Sequence, residues 1–142
     1  MIVGFNFSKI NVERKGKIKG QIRVKNNVDI MDVRGETLLL KDKKKVASVS
    51  FMFGVSYEPG IGEILINGNV LYLDKEKVID ETLRLWKEEK KLLKEASVEV
   101  LNVVMVRCNV KALELSEELG LPPHMQMPKV NFERTKVSDY IG

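Results

Sequence analysis

Val46-Ala-Ser-Val-Ser-Phe-Met-Phe-Gly-Val-Ser-Tyr57 alternates without a break. Val49, Phe51, Phe53, Val55 and Tyr57 share one parity, and Ser48, Ser50, Met52, Gly54 and Ser56 share the other. Successive side chains of a strand point to opposite faces, so this stretch is a strand with one face in a core and one face wet. Downstream, Glu58-Pro-Gly-Ile-Gly62 is a turn, and Glu63 to Leu73 is a further strand in which Asn67-Gly68-Asn69 marks a kink or bulge.

Upstream, Lys41-Asp-Lys-Lys-Lys45 is a turn and Lys17 to Asp32 alternates again. Ile18, Ile22, Val24, Val28 and Ile30 share a parity opposite to Lys17, Lys19, Gln21, Arg23, Lys25, Asn27 and Asp29. Lys15-Gly16 is the turn before it. From Val3 to Glu13, Phe5 and Phe7 change parity with Ile10 and Val12, the slip that a β-bulge near Ser8-Lys9 produces. Four strands joined by short turns predict an antiparallel meander.

The period then changes. Asp74 is placed to cap a helix that runs to about Glu95, burying Val78, Ile79, Leu83, Trp86 and Leu93. Ser97 is placed to cap a second helix ending at Gly120, with the stripe Leu101, Val104, Met105, Cys108, Ala112, Leu115 and Leu119. Val98, Val100, Val104, Val106, Cys108 and Val110 also share a strand parity, but the helical stripe continues to Leu119 without a turn signal, so helix is preferred. Val100, Val103, Val106 and Val110 lie off that stripe, making the helix apolar nearly all round. One sheet covers one side only, which predicts an oligomer with this helix at or near its interface.

Strands first and helices second give an α+β class: a four-stranded antiparallel sheet followed by two helices packed on one face. The chain of 142 residues fits a single domain, with sheet 1–73, helices 74–119 and an extended tail 120–142. No apolar run approaches the roughly 18 residues of a membrane span, and Asn6, Ser8 and Lys9 interrupt any signal-like start, so a cytoplasmic location is expected. One Cys, Cys108, excludes an internal disulfide, and one His makes a local metal cage implausible; no cofactor is implied. Cys108 reads as core and His124 as a surface-loop histidine. Gly60-Ile-Gly62 opens a strand, not a helix, so it lacks the anion site of a phosphate loop. No acid is paired with a base or nucleophile, so an enzyme is not expected.

Charge is uneven: residues 1–45 hold 12 Lys/Arg against 5 Asp/Glu, and the remainder 12 against 15. The basic stripe Lys15, Lys17, Lys19, Arg23, Lys25 invites a nucleic-acid reading, although exposed aromatics on which bases would stack are missing from that face. The tail Gly120-Leu-Pro-Pro-His-Met-Gln-Met-Pro-Lys-Val-Asn-Phe132 is an apolar strip that its prolines keep from being helix. Met125 and Met127 suit an adaptable binding surface. With Val130 and Phe132 they equally suit closure of the core.

Pro123-His-Met-Gln-Met-Pro-Lys-Val-Asn-Phe132, following an apolar helix, resembles the end of the SecB export chaperones, and the order of four strands then helices is similar too. The resemblance implies a dimer of dimers with apolar grooves that hold unfolded polypeptide without ATP. The residues expected to contact such a polypeptide are Met125, Met127 and Phe132 of the tail, with Met52 and Tyr57 of the third strand. That family is typically acidic on the sheet face that docks the translocase ATPase, whereas Lys19, Arg23 and Lys25 stand here, so only the holding activity is carried over.

Overall fold

A computed structural model describes residues 1–39 and 41–128. Four strands, β1 (Ile2–Arg14), β2 (Arg23–Leu39), β3 (Lys43–Glu58) and β4 (Gly62–Tyr72), precede two helices, α1 (Glu76–Glu89) and α2 (Lys94–Glu118). The α+β class and the single-faced helix layer follow the sequence. The meander does not. The sheet order is β1-β4-β3-β2 with every pair antiparallel, a Greek key in which β1 returns to lie beside β4.

That topology explains why the strand expected over Lys17–Asp32 is displaced. β1 and β2 lie on opposite edges of the sheet, so residues 15–22 must cross the ends of β4 and β3. Three inter-strand steps are about 14 Å, within the reach of eight extended residues. The crossing is pinned where it starts, since Lys15 N–H and Gly16 N–H both donate to the Ile61 carbonyl (2.8 and 3.3 Å). Alternation in Lys17–Ile22 is therefore loop, and β2 continues seven residues beyond Asp32 to Leu39.

The β1 bulge is present: the pairing with β4 slips between Phe7 and Lys9. β4 runs unbroken through Gly68, whose missing side chain serves packing. A Cβ there would strike the Asn6 carbonyl and lie 2.6 Å from the Phe51 ring. Phe51 stacks on Phe5 across that gap with centroids 5.4 Å apart.

On the helix side, alternate residues of β3 and β4 form the core: Val49, Phe51, Phe53, Val55, Tyr57, Ile64, Ile66 and Val70 are all buried. α2 meets them with a four-residue ridge, Ala96, Val100, Val104, Cys108, Ala112 and Ser116. These are small side chains, which let the helix sit close to the strands. Burial pushes the Cys108 thiol up to about 12, so it is inert core. Of the expected stripe, Val104, Cys108 and Ala112 face the core, whereas Met105 and Leu119 are exposed. The opposite ridge, Val98, Val106 and Val110, stands in solvent.

The helix boundaries also move. Lys75, not Asp74, is the N-cap residue of α1. Asp74 instead accepts from Lys75 N–H (2.7 Å) and the Tyr72 hydroxyl (2.9 Å). α1 ends at Glu89 because Lys90 takes a left-handed conformation (φ 55°), and α2 starts at Lys94, ahead of Ser97. The break lets Leu92 and Leu93 pack against the core. α1 rests on β2 and β3, while α2 rests on β4, β3 and β1; each helix packs on the sheet and not on the other. No helix among the described residues is long and apolar enough to cross a membrane.

Candidate functional site

The site is built on β2, an edge strand whose outer side pairs with nothing among the described residues. Its helix-side residues follow from register: Val24 lies opposite Tyr57, Asn26 opposite Val55, Val28 opposite Phe53, Ile30 opposite Phe51, and Val33 opposite Val49. Two elements cover the ends of this row. α1 covers the Val33–Gly35 end, where Leu83 sits 3.1 Å from the position a Gly35 Cβ would take and Asp80 pairs with Lys45 at 2.6 Å. That carboxylate raises the Lys45 ammonium pKa.

The tail covers the other end. Leu121 and His124 are only 5% and 4% exposed. The Tyr57 hydroxyl donates to the Pro122 carbonyl (2.8 Å), Asn26 Nδ2 donates to the His124 carbonyl (3.5 Å), and the imidazole meets Phe53 edge-on at 6.1 Å. Nε2 of His124 lies 2.7 Å from Asn109 Oδ1 of α2. His124 is thus core, not surface loop, because a non-helical strap folded back onto the sheet needs side chains to fill the space beneath it.

Between α1 and this strap, Val28 and Ile30 remain only partly covered. From Asn26 to Val33 the strand spans about 20 Å. On α2, Asn109 reaches the strap, and Met105 and Leu101 lie about one and two turns back on the same flank. Trp86 closes the α1 end near Asp32, whose carboxyl is held below the usual range by the Arg34 guanidinium and, less strongly, by the indole. Pairing with β3 slips between Ile30 and Asp32, leaving Met31 54% exposed beside the open edge. Val28 and Ile30 thus form a partly covered apolar strip, a candidate trough, beside a row of backbone donors and acceptors that is unpaired among the described residues. Such an arrangement offers an extended chain both side-chain burial and strand pairing.

The expected contact residues are not gathered in one place. Met125 and Met127 are 43% and 47% exposed on the strap that bounds the trough. Tyr57 is buried beneath that strap, and burial raises its phenol pKa. Met52 faces the opposite side of the sheet, paired with Asp29 and Asn67. Phe132 and Val130 lie outside the described residues. Sequence reasoning missed Val28, Ile30 and Met105 as site residues. The alternation of Val28 and Ile30 was visible, but their incomplete cover depends on where α1 stops and where the strap turns back.

The basic stripe does not assemble on a strand face. Lys17 and Lys19 ride the crossover, Lys15 pairs with Glu13 and Glu63 (3.6 and 3.5 Å), and Lys25 pairs with Glu58 (3.5 Å). The open sheet face carries Asn6, Asn27, Ser48, Ser50, Ser56, Asn67 and Asn69 around the apolar Met52, Leu65 and Leu71. The largest of the described cavities, about 610 Å³, lies at the crossover among Gln21, Ile22, Arg23, Glu58 and Pro59. Its one cation and one carboxylate make no catalytic arrangement. No group of three or more potential metal ligands occurs among the described residues.

No protein-family model matches this chain. No curated protein matches it by sequence. Among solved structures it is similar to the SecB-like chaperone Rv1957 of Mycobacterium tuberculosis, in complex with a ChAD peptide from the Rv1956 HigA1 antitoxin. The TM-score is 0.56 over 91% of this chain and 89% of that one, at 8% identity. The chain has a SecB-like fold. At that identity the likeness is one of architecture.

Proposed function

We propose that this chain is a holding chaperone, cytoplasmic and independent of ATP, that binds extended apolar segments of unfolded polypeptide. The observation that carries this reading is the partly uncovered Val28–Ile30 strip, lying between α1 and the strap and beside the free edge of β2 on a SecB-like fold. A client strand would pair with β2 and bury alternate side chains against Val28, Ile30, Leu101 and Met105. Met31, Met125 and Met127 would adapt to different client shapes around the rim. Phe132 would add a further client contact, Met52 would serve contacts on the open sheet face, and Tyr57 would become available only where the strap lifts. The exposed Val98, Val106 and Val110 ridge would be covered by a second copy of the chain, giving a dimer or tetramer.

The complex of the similar chaperone with a peptide supports polypeptide as the ligand class. The nucleic-acid alternative loses support, since its basic stripe is divided between a loop and ion pairs. The test is suppression of aggregation of a chemically unfolded client without nucleotide, paired with calorimetry at low and high salt. Apolar burial requires a negative heat-capacity change and weak salt dependence. Salt-sensitive RNA binding with no effect on the client would reverse the reading.

A further inference from the structure

His124 is a buried titratable side chain that the holding function leaves unused, and its surroundings are unusual. It is 4% exposed, it joins three elements, and its Nδ1 is buried with no hydrogen-bond partner among the described residues. With Asn109 Oδ1 accepting from Nε2–H, Nδ1 is a bare lone pair facing apolar surroundings. A second proton would put a charged N–H donor there with nothing to receive it.

We propose that His124 is a proton-operated latch: neutral, it pins the Leu121–Pro128 strap across Phe53 and Tyr57, and protonated, it releases the strap and uncovers that end of the sheet. The groups facing it bring no compensating charge. α2 presents Asn109, β3 presents Phe53 and the Tyr57 phenol, and β2 presents Asn26. Arg107 and Lys111 leave α2 toward other neighbours, Arg107 stacking on Phe5 at 4.6 Å and Lys111 pairing with Glu114 at 3.0 Å. Register turns Arg23, Lys25 and Asp29 to the far face of the sheet. The strap itself, Leu-Pro-Pro-His-Met-Gln-Met-Pro, has no other ionisable side chain.

Burial alone drives the His124 pKa below its ordinary value. The released strap therefore binds the proton more readily than the docked one. Docking is at full strength above about pH 6.5 and weakens about tenfold for each unit below it, until the docked imidazole itself titrates. What holds the strap otherwise is modest: two hydrogen bonds to its carbonyls, one from Leu121 N–H to the Ser116 carbonyl (2.8 Å) where the strap leaves α2, and the burial of Leu121. The latch needs no client and stands or falls independently of the holding function.

The test is amide hydrogen exchange of Leu121 and of His124 to Met127, corrected for intrinsic rates, at about pH 7.5 and about pH 5.5, beside imidazole titration by NMR. Strap protection in the native protein is expected to fall between these pH values, by up to about tenfold, the limit set by the released imidazole, while β3 and β4 amides hold theirs. His124→Gln keeps a donor toward Asn109 and cannot titrate, so its strap should show no pH dependence. The imidazole midpoint should lie below about 6.5. That measurement requires no variant. Constant strap protection in the native protein, an equal fall in His124→Gln, or a midpoint at or above about 6.5 would each overturn the latch.

Discussion

Replacing both Met125 and Met127 with Ser separates a binding rim from a core plug. Fully burying a Met side chain yields roughly 1.5–3 kcal/mol. The two residues are 43% and 47% exposed, so each still has about half of that to gain when a client covers it. The double change should therefore weaken client binding by roughly 1.5–3 kcal/mol, about 10- to 150-fold. Stability should move little, because Leu121 and His124, which fill the space under the strap, are untouched. A loss of about 1 kcal/mol corresponds to a Tm shift of about 2–5 °C in a domain of this size. The assay is client aggregation suppression over a range of chaperone concentration, alongside a thermal melt. Unchanged suppression together with a Tm loss well above about 5 °C would show that the methionines close the core, and would remove the strap from the binding surface.

Two further outcomes follow from packing. Gly68→Ala should destabilise the fold by about 1–3 kcal/mol, because the new methyl drives into the Asn6 carbonyl and the Phe51 ring; a denaturant midpoint equal to that of the native protein would contradict the packing described. Val106→Lys with Val110→Lys should convert the assembly to a 16.2 kDa monomer by light scattering, since both residues stand on the outward ridge of α2. A native protein that is already monomeric, or a variant of unaltered mass, would remove that ridge from any subunit contact.

How much of this was legible in the sequence depends on whether a feature is periodic or positional. Periodicity exposed β3, β4, the Phe7–Lys9 bulge and the choice of helix for residues 98–110, since each is fixed by which side chains share a face. Strand order was hidden. Lys17–Ile22 alternates as well as a strand does, and only the pairing of β1 with β4 forces it to be a crossover. The α1 boundary was hidden too, because Lys90 takes the left-handed conformation without the glycine that normally announces it. The tail was half legible. Its prolines showed that it is not helix, but which of its side chains turn inward was not visible: Leu121 and His124 are buried, while Met125 and Met127, expected either to bind or to close the core, are about half exposed.

The same division explains why the proposed binding surface falls on β2. β3 and β4 are central strands, paired on both sides and covered on one face by the small-residue ridge of α2, so the apolar residues of that face are fully buried. β2 lies at the edge beyond the reach of α2, and its cover comes from two short elements at its ends. An α1 extended to Glu95 would have had six more residues with which to cover the sheet, but the break at Lys90 ends it beside Trp86. Residual apolar exposure at Val28, Ile30 and Met31 is then a consequence of helix length and strand position. The fold can carry such a strip because its fully buried core lies on the two central strands, so the proposed exchange of water for a polypeptide at the edge would leave that core intact.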